Sequence, residues 1–261
     1  MLLVLAVGSN ACFEPPQFPS VPVITFNNIV FKNYSSTTPG DDDTLMLTIN
    51  FKDGDGDLGL DASNPGDAEG IYAPQYYFLA DGTKVFLTGT SITNPAYFQL
   101  PDGTLVLDSL ISYRTKRKAL GKANDTLPAY VPPFSCTNWS IITKLDSNSN
   151  SQVPVDTLYM QLNPNYYNIF VDVLVKQNDG SFVAYNGNLN NDCSAGLDGR
   201  FPILASDPSK PGPLEGTIRY SMASLGWLVT FSTKTLELRV SIQDRALHRS
   251  NTIITPPFAL K

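Results

Sequence analysis

Asp53, Asp55 and Asp57 alternate with Gly54 and Gly56 in the run Asn50-Phe51-Lys52-Asp53-Gly54-Asp55-Gly56-Asp57-Leu58-Gly59-Leu60. Carboxylates at alternate positions of a glycine-rich loop are how calcium loops gather oxygens around a hard cation. Asp61 stands at the ninth position counted from Asp53 and completes a candidate calcium set of Asp53, Asp55, Asp57 and Asp61. The run departs from the EF-hand loop at two places. Leu58 stands at the sixth position, where glycine is required, and Asn64 at the twelfth, where a bidentate Glu is usual. The competing reading is a hydrated turn that ends a strand, with glycines supplying backbone freedom and aspartates bonding local amides.

Other residue types with chemical potential are sparse. His248 is the single histidine, in an expected turn beside Arg249, and a Ser-His-Asp set needs geometry that spacing does not provide. Glu14 lies in a Pro-rich stretch and Glu237 on the polar face of a strand, so neither suggests a pair for glycoside hydrolysis. No catalytic residue is assigned, and the chain reads as non-enzymatic. A hydrolase with an Asp-based site is the most distant alternative. Trp139, Tyr76, Tyr77 and Tyr97 are candidate platforms for a sugar or anchors for a protein partner, against the alternative that they fill a core. Arg114, Lys116, Arg117, Lys118 and Lys122 form a basic cluster that reads as a solvated face.

The elements that must position these residues are strands. Leu45, Leu47, Ile49 and Phe51 share one face of a period-2 pattern, as do Ile169, Val171, Val173 and Val175, and Leu236, Leu238, Val240 and Ile242. Asn178-Asp179-Gly180 between two such runs is a hairpin signal, because Asn and Gly accept positive φ. Strands are expected at 22–31, 44–52, 167–177, 181–186, 215–222, 234–244 and 251–259. Seven short strands fit an immunoglobulin-like or fibronectin-like β-sandwich over 22–261. Residues 61–155 form a large insertion between the second and third strands, too long for a bare loop, with extra hairpins suggested at 76–79, 84–87 and 104–107. Two separate β domains are the alternative parse. In the sandwich, the loop after the second strand and the loop before the last lie at the same end. The acidic run should therefore meet Asp244-Arg245 and be neutralised by Ca²⁺, with Asp244 assisting, or by Arg245.

Composition agrees with an all-β class. The 261 residues include 20 Pro and 18 Gly, more punctuation than helices tolerate. A net charge of −6 removes the basic footprint of a nucleic-acid binder. Residues 1–12 read as a truncated lipoprotein signal segment: the apolar run Leu2-Leu3-Val4-Leu5-Ala6-Val7 is too short to span a bilayer, and Ala11 precedes Cys12. A small residue directly before cysteine resembles the bacterial lipobox, which implies lipidation of Cys12. Residues 13–21 are a stiff Pro-rich spacer. In an exported chain the remaining pair, Cys136 and Cys193, is expected to form a disulfide, worth about 4 kcal/mol on the chain-entropy estimate. Two buried free thiols are the alternative.

The aspartate–glycine run after a Cys-anchored, Pro-rich start, with Asp244-Arg245-Ala246 and Ser250-Asn251-Thr252 near the end, resembles uncharacterised cell-surface lipoproteins of Bacteroidota. The resemblance implies an immunoglobulin-like fold anchored by lipid to the outer membrane and facing the cell exterior. It covers the framework strands well and the insertion poorly, and it implies no activity. The expected function is a binding or scaffolding module of the outer membrane, with an envelope protein or a glycan as partner. The alternative is a glycan-binding module of a nutrient-uptake system. No cofactor other than Ca²⁺ is indicated.

Overall fold

The computed structural model describes residues 17–34, 42–61, 63–78, 83–86, 110–112, 139–146, 151–185, 196–207, 209–210, 212–224 and 226–260. Strands account for 45% of them and helices for 9%, which places the chain in the all-β class. The strands are β1 (Val23–Lys32), β2 (Thr44–Asp53), β3 (Gln75–Phe78), β4 (Lys84–Val85), β5 (Trp139–Asp146) and β6 (Ser151–Leu162). They continue with β7 (Ile169–Lys176), β8 (Phe182–Ala184), β9 (Leu214–Ala223), β10 (Leu236–Ile242) and β11 (Ile253–Ile254).

Two antiparallel sheets, ordered β1-β2-β9 and β11-β10-β7-β8, share one apolar core. Alternation explains the sharing. In β2 the side chains of Leu45, Leu47, Ile49 and Phe51 turn inward, and in β10 those of Leu236, Leu238, Val240 and Ile242 do the same. Each strand carries one more inward position beyond this apolar series. In β2 it is Asp53, and just past β10 it is Asp244, so a buried acid follows the same period at the end of each sheet. The β7–β8 hairpin closes through Gly180 at φ 88°, and the Asp179 carboxylate accepts from the Ser181 amide at 2.9 Å.

A short helix, α1 (Gly226–Phe231), links β9 to β10. It buries Trp227 and Phe231 one turn apart, and the Trp227 indole donates to the Met222 carbonyl at 2.8 Å.

The segment between β2 and β7 holds a third antiparallel sheet, ordered β4-β3-β6-β5, with its own buried Tyr77, Val85, Leu158 and Met160. Its last strand, β6, runs past residue 155 to Leu162. Asn163, which follows β6 and is itself buried, ties the sheet back to the chain entering it: its side-chain amide donates to the carbonyls of Ile71 and Ala73 at 2.8 and 2.7 Å. Among the described residues no helix is long and apolar enough to cross a membrane. Cys12, Cys136, Cys193 and Tyr97 lie outside the described residues, as does the hairpin expected at 104–107.

Candidate metal centre

Asp53, Asp55, Asp57 and Asp244 each bring a carboxylate oxygen to one point, with all four atoms within 4.8 Å of one another. β2 delivers Asp53 and the loop that follows delivers Asp55 and Asp57. The opposite sheet delivers Asp244 from the turn after β10. Gly56 (φ 71°) and Gly59 (φ 107°) let the loop curl tightly enough to turn alternate carboxylates to the same side.

The four acids are not held in the same way. Asp53 is fully buried, and neither of its carboxylate oxygens has a hydrogen-bond partner. Asp55 Oδ1 and Asp57 Oδ1 are likewise buried and unpartnered. Asp57 Oδ2 accepts from the Ala246 amide at 3.0 Å. Asp244 is oriented by its own turn: Oδ1 accepts from the His248 amide at 2.7 Å, and Oδ2 faces His248 Nδ1 at 2.9 Å. Thus His248 acts as a positioning residue for Asp244.

Burial, followed by the charges of Asp55, Asp57 and Asp244, pushes the Asp53 carboxyl up to about 7; the Gly56 amide pulls the other way without closing a hydrogen bond. Burial and then the carboxylates of Asp244 and Asp55 push Asp57 up to about 6 against the amides of Ala246 and Arg245. Asp244 is raised, first by burial, despite its bonds to His248. Two like charges at 4 Å repel by about 4 kcal/mol at an effective dielectric of about 20, so four together need protons or a cation.

The donor set is all oxygen and anionic, which suits a hard divalent ion. Oxygens on opposite sides of a Ca²⁺ ion, each about 2.3–2.6 Å from it, lie roughly 4.6–5.2 Å apart. The observed grouping fits inside that shell. Mg²⁺ keeps several waters instead of entering an all-protein cage.

Two expectations about this loop are corrected. Asp61 does not join the cluster: its Oδ1 accepts from the Ser63 amide and hydroxyl at 2.8 and 2.7 Å, which hold its carboxyl below the ordinary range. Nor does Arg245 neutralise the run. Its guanidinium makes a two-pronged bond to Asp67, at 2.6 and 2.8 Å. Burial raises the Asp67 carboxyl, but the Arg245 bond, the Asp61 amide and the charges of Arg245 and Arg200 together bring it below its ordinary value. The Tyr72 hydroxyl donates to the Arg245 carbonyl, which fastens the start of the insertion to the same turn.

Of the aromatic candidates, Tyr77 is 3% exposed and belongs to a core, which removes it from any sugar platform. Tyr76 is half-buried on β3, with its hydroxyl bonded to Gln161 at 2.7 Å and Lys84 over its ring. Trp139 opens β5, and its side chain lies outside the description. Sequence reading missed Asp67 as the partner of Arg245; its position two turns past the acidic run carried no motif. Comparisons with family models, curated proteins and solved structures found no match for this chain.

Proposed function

We propose that this chain is a calcium-binding, non-enzymatic binding or scaffolding module with an immunoglobulin-like framework, anchored to the outer membrane through Cys12. The observation that carries the calcium reading is Asp53, sealed from solvent with both oxygens unpartnered and surrounded by three more carboxylates. An ionised acid in that position is costly unless something neutralises it, and among the described residues no cationic side chain does so. Calcium supplies the missing charge and accepts the oxygens that no donor reaches.

A structural ion is favoured over a catalytic one because Asp53 and the Asp244 side chain are both closed to solvent and cannot meet a substrate. The immunoglobulin-like reading is supported by strand order: counted along the seven framework strands, the sheets run first-second-fifth and seventh-sixth-third-fourth. The Pro-rich start and the Ala11-Cys12 pair support the lipid anchor.

Titration calorimetry of chelated protein with CaCl₂ and with MgCl₂ tests the ion. Saturable binding of Ca²⁺ with a rise in Tm is expected, and an unchanged Tm after thorough chelation overturns the reading. Mass spectrometry of the natural product tests the anchor: acylation at residue 12 is expected, and an unmodified Cys12 behind an intact leader overturns it.

A further inference from the structure

The acidic loop is the point where distant stretches of backbone meet. A Cβ on Gly54 would lie 2.3 Å from the Phe18 carbonyl oxygen, one on Gly56 2.2 Å from that of Gly212, and one on Gly59 2.2 Å from that of Pro202. Only glycine admits such close approach. Hydrogen bonds follow the same lines. The Gly54 amide donates to the Pro19 carbonyl at 2.8 Å, the Leu60 amide to Phe201 at 3.1 Å, and the Leu204 amide to Leu58 at 3.1 Å. From the opposite sheet the Arg245 amide donates to the Asp57 carbonyl at 3.3 Å and the Ala246 amide to its carboxylate at 3.0 Å.

None of these bonds belongs to a strand ladder. Residues 17–22 precede β1, and residues 200–207 belong to the connection before β9. These bonds tie each segment to the loop; Asn168 also grips Phe201 by two bonds, the Phe201 side chain packs into the framework core, and Lys52 lies over the Phe18 ring. The framework core is built mainly from β-strand side chains of both sheets, with Leu58 of the loop and Phe201 of the connection packed among them. Whatever holds the carboxylates together therefore holds the junction, while whatever drives them apart loosens it first.

We infer that the cation acts as a clasp: its binding to Asp53, Asp55, Asp57 and Asp244 docks residues 17–22 and 200–207 onto the loop, and its loss undocks them while both framework sheets stay folded. This rests on the calcium reading above. The ion thereby sets where the chain leaves the sandwich toward its N-terminus.

Hydrogen exchange on the full chain, with chelator and with Ca²⁺, tests the clasp, beside calorimetry on the same sample. In chelator the amides of Gly54, Leu60, Leu204, Arg245 and Ala246 should exchange at least about tenfold faster than those of the β7–β10 ladder. At a Ca²⁺ concentration 100 times Kd their protection should rise by about 100-fold and close most of that gap. If calorimetry shows binding but junction and ladder amides are equally protected in chelator, the clasp is overturned and the calcium reading survives. The clasp is also overturned if Ca²⁺ protects Arg245 and Ala246 without Gly54, Leu60 and Leu204. Calorimetry without binding removes both.

Discussion

Asp53 and Asp67 are both fully buried and lie fourteen positions apart in sequence, at the same end of the molecule, yet they meet opposite fates. Asp67 receives a two-pronged bond from Arg245 and the Asp61 amide, and its carboxyl falls below the ordinary range. Asp53 receives no hydrogen bond, faces three like charges, and rises to about 7. Arg245 stands within electrostatic reach of both regions, since its backbone amide touches Asp57, but its guanidinium bonds Asp67 and the Gly59 carbonyl instead. Burial of an acid alone therefore says little. A buried acid matched by a protein cation is already neutralised, whereas one left unmatched among others is a candidate site for an ion.

The comparison breaks most visibly at Asp67. Asp67→Asn leaves the Arg245 charge without its partner, and breaking a buried pair typically costs 3–5 kcal/mol. Because the Arg245 side chain is 33% exposed, the low end of that range, about 3 kcal/mol, is expected, with or without Ca²⁺. Thermal unfolding should show a Tm fall on the order of 10 °C in both buffers. A loss that appears in Ca²⁺ but not in chelator would place Asp67 among the ion's ligands instead.

Asp53→Asn has the opposite signature. Wild-type protein should gain about 2.7 kcal/mol at a Ca²⁺ concentration 100 times Kd, and the variant should lose nearly all of that gain. In chelator the variant should be at least as stable as wild type, because one buried, repelled charge has gone. An Asp53→Asn protein that keeps the full Ca²⁺ response in differential scanning calorimetry would dissolve the contrast between the two acids.

pH separates them more gently. The raised Asp53 and Asp57 carboxyls bind protons more tightly folded than unfolded, so in chelator they stabilise the protein below about pH 4 and that contribution is lost as pH rises through about 6 and 7. The Asp67 contribution has the reverse sign: it is present above the ordinary carboxylate range and lost only as pH falls below it. Between pH 5 and 7.5, chelated protein should therefore lose stability with rising pH, and Ca²⁺ should flatten or reverse the slope. A chelated protein whose Tm is constant across that window would mean that the four carboxylates do not share one charge field.

Much of this was legible in the residue order. The inward series Leu45, Leu47, Ile49, Phe51 continues by the same period to Asp53, and Leu236 to Ile242 continues to Asp244, so both acids were already placed inside at strand ends. β2 and β10 follow their alternation throughout, whereas β1 breaks it at a bulge between Phe26 and Asn28 and β7 buries both Val173 and Leu174. The insertion was less readable. Its β5–β6 pair carries a bulge at Ile142/Thr143 opposite Pro154, and a proline within a run masks a strand except at such irregularities. The pairing of Arg245 with the acidic run, one of two alternatives, fails because carboxylates next to one another in sequence advertise themselves, whereas Asp67 is placed by a short 3-10 turn whose course no periodicity describes.

The smallest expected effect belongs to Asp61, and it sharpens the contrast because spacing alone groups it with Asp53. Counting positions along the run presumes an EF-hand loop that continues into a helix, with the ninth residue turned back toward the ion. Here the chain passes from the loop into a tight turn. The Asp61 carboxylate faces forward, to the amide and hydroxyl of Ser63, while its own amide supports Asp67. Asp61→Ala removes the first pair of bonds and leaves the amide in place. Calorimetric titration should then give a Ca²⁺ Kd within about twofold of wild type, as for an ordinary surface substitution. A tenfold weakening would mean that the loop re-forms on binding and swings Asp61 inward, so that membership of the cage is decided by the ion rather than by the strand period that buries Asp53 and Asp244.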